Sequence, residues 1–128
     1  MRVVAGIIED DRGRILLALR PPGKHLAGHW EFPGGKVEAG EMPEQALVRE
    51  LHEELELRIE VKQALGSYDH TYDWGAMTLL VYVVKALNTP QCSADVPEFR
   101  FVDPRSVGEF PLAPADVQPW RDYLNRPT

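Results

Sequence analysis

Gly35-Lys36-Val37-Glu38-Ala39-Gly40-Glu41-Met42-Pro43-Glu44-Gln45-Ala46-Leu47-Val48-Arg49-Glu50-Leu51-His52-Glu53-Glu54-Leu55-Glu56-Leu57 is the stretch from which the rest of the chain can be read. It opens as a loop, with glycines placed for tight turns. From Pro43 to about Leu57 the pattern turns helical, because proline suits a first helical position and Leu47, Val48, Leu51 and Leu55 share an arc of about 100°. Glu50, Glu53 and Glu54 project at about 300°, 240° and 340° from Leu47, which makes one acidic edge beside that apolar stripe. Like charges three and four residues apart cost a few tenths of a kcal/mol per pair even when exposed. An edge of this kind is either a solvated helix face or the seat of a cation. Oxygen donors without cysteine favour magnesium or manganese over zinc. Ala46, at about 260°, leaves room for an ion or for the glycine loop. Arg49, the one cation among these glutamates, is suited to hold a carboxylate in a bidentate contact.

The charge balance singles out the same segment. The chain has 128 residues and a net charge of −6, from 20 acidic and 14 basic residues. Glu38 to Glu56 holds seven acidic residues and one basic residue, and without it 13 of each sign remain. A chain that gripped a nucleic-acid polymer would carry a basic stripe, so none is expected as partner. The 44% apolar composition is that of a globular protein, and the length suits one domain over residues 1–128. A single cysteine, Cys92, excludes an internal disulfide. The longest apolar run, Ala76 to Val84, is far short of the roughly 20 residues of a membrane helix. Acidic residues follow Arg2 too soon for a signal peptide, so no membrane partner and a cytoplasmic location are expected.

Further out, Val3–Ile8 and Ile15–Leu19 read as a hairpin joined by Glu9–Arg14, with Gly13 in the turn. Ile59–Ala64, Met77–Leu87 and Glu98–Val102 read as strands, the second apolar nearly throughout like a strand covered on both faces. A last helix is predicted from Val117 to about Asn125, with Val117, Trp120 and Leu124 on one side and Pro119 in its first turn. Hairpin, helix, strands and helix in this order predict an α/β (α+β) sandwich, a mixed sheet with helices on both faces.

The spacing Gly35, five residues, Glu41, seven residues, Arg49-Glu50-Leu51-His52-Glu53-Glu54-Leu55 resembles the Nudix hydrolase signature GX5EX7REUXEEXGU, where U is a bulky aliphatic. The one departure is Glu56 in place of the late glycine, near the end of the helix, where a left-handed cap is often required. Either Glu56 adopts that conformation at a cost of about 1 kcal/mol, or the helix runs on by a residue. Trp30–Glu38 is similar to the corresponding run of the MutT branch. Phe110–Asp116 is similar to that branch's C-terminal base-reading segment, in the form found in enzymes that split CTP and related pyrimidine nucleotides.

This resemblance implies a Nudix fold with a curved mixed sheet, and hydrolysis of a nucleoside triphosphate to the monophosphate and pyrophosphate by water attack at the β-phosphorus. The implied cofactor is Mg²⁺, with Mn²⁺ as a substitute, held by Glu50, Glu53, Glu54 and the backbone of Gly34 or Gly35. Lys36 is implied to meet the phosphates. The general base is Glu53 or else Glu98, whose position resembles that from which some relatives supply an additional metal-bound carboxylate. Arg20 and His25 match nucleotide-contacting positions, the alternative being a surface loop. Phe32 stacks on the base or sits in the core. Asp116 reads the base edge, caps the last helix, or does both. Tyr68, Tyr72 and Trp74 either line the pocket or pack on the core. The partner is a small nucleotide, ordinary or oxidised. Two other readings remain: hydrolysis of another nucleoside diphosphate derivative such as ADP-ribose, or binding of a nucleotide without cleavage.

Overall fold

The structure, a computed structural model, describes residues 1–127. Its strands are β1 (Arg2–Glu9), β2 (Ile15–Leu19), β3 (Trp30–Glu31), β4 (Gly34–Lys36), β5 (Ile59–Tyr72), β6 (Gly75–Ala86) and β7 (Phe99–Val102); its α-helices are α1 (Pro43–Leu55) and α2 (Pro114–Asn125). Among the described residues the strands form one open mixed sheet in the order β3-β2-β1-β6-β5, with β4 added to β1 and β7 to β2. β1 runs parallel to β6, from Arg2 opposite Thr78 to Glu9 opposite Lys85, and antiparallel to β4.

Period-two alternation along the central strands sends side chains to two cores. Val4, Ile8, Leu16 and Val84 meet Leu47, Leu51 and Leu55 of α1, whereas Ile7, Leu17, Val81 and Val83 meet Trp120 and Tyr123 of α2. Each fully buried aliphatic side chain of these layers contributes about 1.5–3 kcal/mol. The helices therefore flank both faces, as the element order predicts.

The buried arc of α1 is displaced from the expected stripe. Val48 is 46% exposed while Ala46 is fully buried. Centred between them, the arc that meets the sheet spans about 260° through 0° to 80°, so Glu50 and Glu54 lie inside it and Glu53 just outside. α1 ends at Leu55, earlier than expected, because Glu56 takes the left-handed conformation (φ 50°, ψ 31°). The chain then turns back, Leu57 N–H donates to the Leu51 carbonyl (3.2 Å), and Leu57 enters the core.

Three further expectations are corrected. β5 continues to Tyr72, well past Ala64, because register shifts between Val61 and Gln63 and between Ala64 and Gly66 break the alternation that marks a strand. Gly34–Lys36, expected as loop, is a short strand against Val3–Ala5; a Cβ on Gly34 would overlap the Val4 carbonyl. α2 begins at Pro114 rather than Val117, so Pro119 lies in its second turn, and Leu124 is exposed while Tyr123 packs inward.

Glu56→Gly relieves a left-handed strain of about 1–2 kcal/mol and adds about 0.5–1 kcal/mol of unfolded-chain entropy. The expected net gain is about 0.5–1 kcal/mol, read as an upward shift in Tm of about 1–4 °C.

Candidate active site

Arg49 organises the acidic edge. Its Nε and Nη2 grip Glu41 at 2.8 and 3.0 Å, Nη2 donates to the Lys36 carbonyl at 3.0 Å, and Nη1 reaches Glu50 at 2.9 Å and Glu53 at 3.3 Å. The Glu41 contact is the bidentate one, and the guanidinium beside it holds the Glu41 carboxyl below its usual range. One cation thus ties the glycine loop to the helix and sets two carboxylates of the edge. Gly35 completes the fit, since a Cβ there would overlap the Glu50 carboxylate.

Glu54 has no such cation. Burial first, and then the Glu50 carboxylate within hydrogen-bonding reach, push its pKa up to about 8; Glu31 and Asp95 add to the same field. Protonated, Glu54 can donate to Glu50. A divalent ion would replace that proton with a larger charge. Among the described residues no three acidic, His or Cys side chains already enclose an ion-sized space. This donor set fits magnesium, which takes one or two carboxylates and fills its remaining positions with water and substrate phosphate.

Two cavities meet beside this edge. A smaller one, about 120 Å³, is lined by Glu54, Asp95, Glu31, Arg20, Lys24 and Gly34. A larger cleft of about 240 Å³ continues from Arg20, Glu31 and Gly34 past Gly35 and Lys36 to Tyr72, Trp74 and Asp116. Arg20 stands at the junction, its Nη1 3.4 Å from Glu31. Asp116 is 5% exposed, and its carboxylate accepts the Phe32 N–H at 3.2 Å. Burial, reinforced by Glu31, raises the Asp116 pKa well above its ordinary value. The helix cap falls at Ala113 instead, so Asp116 caps nothing. Its position follows from Phe110–Ala113 lying beside β3, where Trp30 N–H donates to the Pro111 carbonyl and Ala113 N–H to the Trp30 carbonyl.

The remaining candidates divide. Lys36, Gly34 and Gly35 line the large cleft. Phe32 is 3% exposed and packs near Trp120, ring centroids 6.0 Å apart, and it also lines the large cleft. Glu53 is on the outer side of the edge, its side chain 56% exposed. His25 stacks on Trp74 and lines neither cavity. Tyr72 and Trp74 line the cleft, whereas Tyr68 is bonded to Asp122 on α2. Glu98 lines neither cavity; its carboxylate lies 3.4 Å from Arg100, and its backbone carbonyl accepts Leu19 N–H.

The sequence reading missed Asp95 and Glu31. Asp95 arrives because the β6–β7 connection is tied to the end of α1: Asn88 Nδ2 donates to the Glu56 carbonyl at 3.0 Å and Gln91 N–H to the Leu55 carbonyl at 2.7 Å. A tight Ser93–Val96 turn, with Val96 anchored in the core, then carries Asp95 to Glu54. The available signal was the polar Ser93-Ala94-Asp95 run before a buried valine. For Glu31 it was a charged residue between two core aromatics, Trp30 and Phe32.

An open mixed sheet between two helices, with a glycine loop feeding an acidic helix edge, is the arrangement of a Nudix-type hydrolase. The NUDIX domain matches residues 1–124, and the chain belongs to that family and is a Nudix hydrolase. It is similar to the CTP pyrophosphohydrolase of Escherichia coli K12, 39% identical over 117 residues, which cover 91% of this chain and 86% of that relative. It is also similar to the 8-oxo-dGTP diphosphatase of Haemophilus influenzae, 35% identical over 119 residues, 91% of this chain and 88% of the other. The solution structure of the E. coli ORF135 protein superposes with a TM-score of 0.84 at 39% identity, covering 96% of this chain and 87% of that one. Among the described residues no helix is long and apolar enough to cross a membrane.

Because folding raises the Glu54 pKa from 4.5 to about 8, the folded protein keeps a proton that the unfolded chain has released. Stability of the metal-free protein therefore falls as pH rises through that window. Thermal melts between about pH 5 and 8 should show Tm falling with pH, with a shallower slope in Glu54→Gln; Mg²⁺ should raise Tm more at the alkaline end.

Proposed function

We propose that the chain is a Mg²⁺-dependent nucleoside triphosphate pyrophosphohydrolase that converts a (d)NTP and water to the (d)NMP and pyrophosphate, with cytosine-type nucleotides preferred. The observation that carries this reading is the continuity of the two cavities. A carboxylate edge with excess proton affinity opens, through Arg20, Glu31 and Gly34, into a cleft that ends on a buried carboxyl.

Glu50 and Glu54 are assigned to the cation, with Asp95 as a further carboxylate in place of Glu98. When bound, the ion supplies Lewis-acid stabilisation of phosphate oxygens and a more acidic water. The chain's own residues do the rest. Lys36, Arg20 and Lys24 face the polyphosphate as fixed positive charge where negative charge builds up during the reaction. Gly34 and Gly35 let the backbone approach the phosphates without side-chain obstruction. Glu53, on the outer side of the edge and steadied by Arg49, takes the proton from the water that attacks the β-phosphorus. The bond from that phosphorus to the α–β bridging oxygen breaks, and the bridging oxygen leaves with the monophosphate.

Base choice is assigned to Asp116. A neutral carboxyl donates and accepts one hydrogen bond each, which complements the N3 acceptor and N4–H donor of cytosine. Ionised, it offers only acceptors, which complement the N1–H and N2–H donors of guanine. The raised proton affinity of Asp116 favours the first pairing, in line with the similarity to a CTP pyrophosphohydrolase. The similarity to an 8-oxo-dGTP diphosphatase favours a second reading, an oxidised guanine nucleotide held by the ionised form. The exposed, unpaired Cys92 suits a reducing, cytoplasmic setting.

A panel of ordinary and oxidised (d)NTPs with Mg²⁺ should yield pyrophosphate and no single phosphate, with kcat/KM highest for cytosine nucleotides. Release of single phosphate, or no turnover of any triphosphate, defeats the reading. Glu54→Gln and Asp95→Asn should lower kcat, the former by at least ~100-fold. Asp116→Ala should lower the cytosine-to-guanine ratio of kcat/KM by about tenfold or more without changing Mg²⁺ affinity, whereas Asp116→Asn, whose amide still donates and accepts, should keep that ratio within about threefold of wild type or raise it.

A further inference from the structure

The loop from Arg20 to His29, between β2 and β3, closes on itself. Arg20 N–H donates to the His29 carbonyl at 2.9 Å, and Gly28 N–H to the Arg20 carbonyl at 3.2 Å. Inside it Leu26, a cleft-lining aliphatic residue, has φ of 60°. A bulky residue persists in that region only where its surroundings over-determine it. One such restraint is local, since the Leu26 carbonyl accepts His29 N–H at 3.0 Å. The other comes from across the cleft.

There the His25 ring lies 4.0 Å from Trp74 at an interplanar angle of 14°, and Tyr72 lies 4.5 Å from Trp74 at 5°. Two rings so close and so nearly parallel to one indole cannot share a face without overlapping, so Trp74 is sandwiched between them. Tyr72 is itself fixed, its hydroxyl oxygen accepting the Ala115 N–H of α2 at 3.0 Å. The stack thus runs from α2 through the β5–β6 turn to the tip of the loop. From the tip it reaches the site, because the His25 carbonyl accepts Arg20 Nε at 3.0 Å and Arg20 Nη1 faces Glu31 at the junction of the cavities. Trp74 is 45% exposed, so burial alone does not account for its place.

We propose that Trp74 is a positioning residue: by stacking on His25 it clasps the Arg20–His29 loop over the cleft and holds the Arg20 guanidinium ready for the nucleotide. The nucleotide part of this inference rests on the proposed function; the clasp itself does not. A guanidinium fixed beforehand loses less freedom when substrate arrives, so the clasp acts on binding and leaves the chemical step alone.

Steady-state kinetics on the best (d)NTP and limited trypsin digestion without nucleotide test it together. Trp74→Ala and His25→Ala should each raise KM about five- to tenfold with kcat within about twofold, and Trp74→Phe should restore KM to within about twofold of wild type. Cutting after the exposed Lys24, followed by mass, should be at least about fivefold faster in both alanine variants. Arg20→Ala with Trp74→Ala should raise KM no further than Arg20→Ala alone. Unchanged KM and unchanged cutting in the two alanine variants, or an additive double variant, overturn the inference. Wild-type protein that hydrolyses no triphosphate removes the proposed function and the nucleotide part, while the cutting rates still decide the clasp. An active wild type whose alanine variants match it removes the clasp alone.

Discussion

Two glutamates forced together on the buried face of one helix are the constraint from which the rest of this molecule follows. Glu50 and Glu54 are one helical turn apart and both turned toward the sheet, where burial and the Glu50 charge strengthen the proton affinity of Glu54. A fold that only needed stability would place leucines there, as it does at Leu47 and Leu51. What makes the arrangement tolerable is the division of compensation. Arg49 neutralises Glu50 from the loop side, and Glu54 keeps a proton that a divalent ion can displace. The helix is thus held in a state that gains from binding a cation.

The same constraint explains the backbone around it. Arg49 works only if the loop before α1 brings Glu41 and the Lys36 carbonyl to its far side, and the loop reaches them only because Gly35 has no Cβ to collide with Glu50. Pairing of Gly34–Lys36 with β1 then fixes the loop against the central strands. Site geometry and sheet topology are therefore one structure, and a change at Gly34 or Gly35 disturbs both.

Much of this was legible in the sequence because it is local. Residues three and four apart on a helix must share a face, so the acidic edge was readable from spacing alone, and Pro43 marked where the helix starts. The errors arose where tertiary contacts decide. The apolar arc of α1 is shared by Ala46 and abandoned by Val48 because the sheet approaches from the Ala46 side, a direction that no periodicity contains. β5 was cut short because its bulges break the alternation by which strands are recognised. Asp95 escaped notice because it lies in a connection, whereas Glu98 adjoins a strand. Which of the two faces Glu54 depends on how Asn88 and Gln91 tie the preceding connection to the helix end. The Tyr72–Trp74–His25 stack joins residues nearly fifty positions apart, and only the β5–β6 turn brings them together.

Electrostatics sets a limit on how such a site can work. Glu31, Glu54, Asp95 and Asp116 crowd about the same two cavities, while Arg20, Lys24 and Lys36 are the cations that line them. Without a metal, a polyphosphate entering here meets four carboxyl groups against three cations, and proton uptake by Glu54, whose pKa is pushed up to about 8, softens that field. A cation at the edge reverses the balance beside Glu54, whereas Asp116 is buried on the wall of the other cavity. The two carboxyl groups with the most strongly raised proton affinity therefore stand in different cavities, Glu54 in the smaller and Asp116 in the larger, as the proposed division between metal and base requires. The proposed nucleotide, an anionic tail carrying a polar head, is a ligand that such a pair of cavities would accommodate.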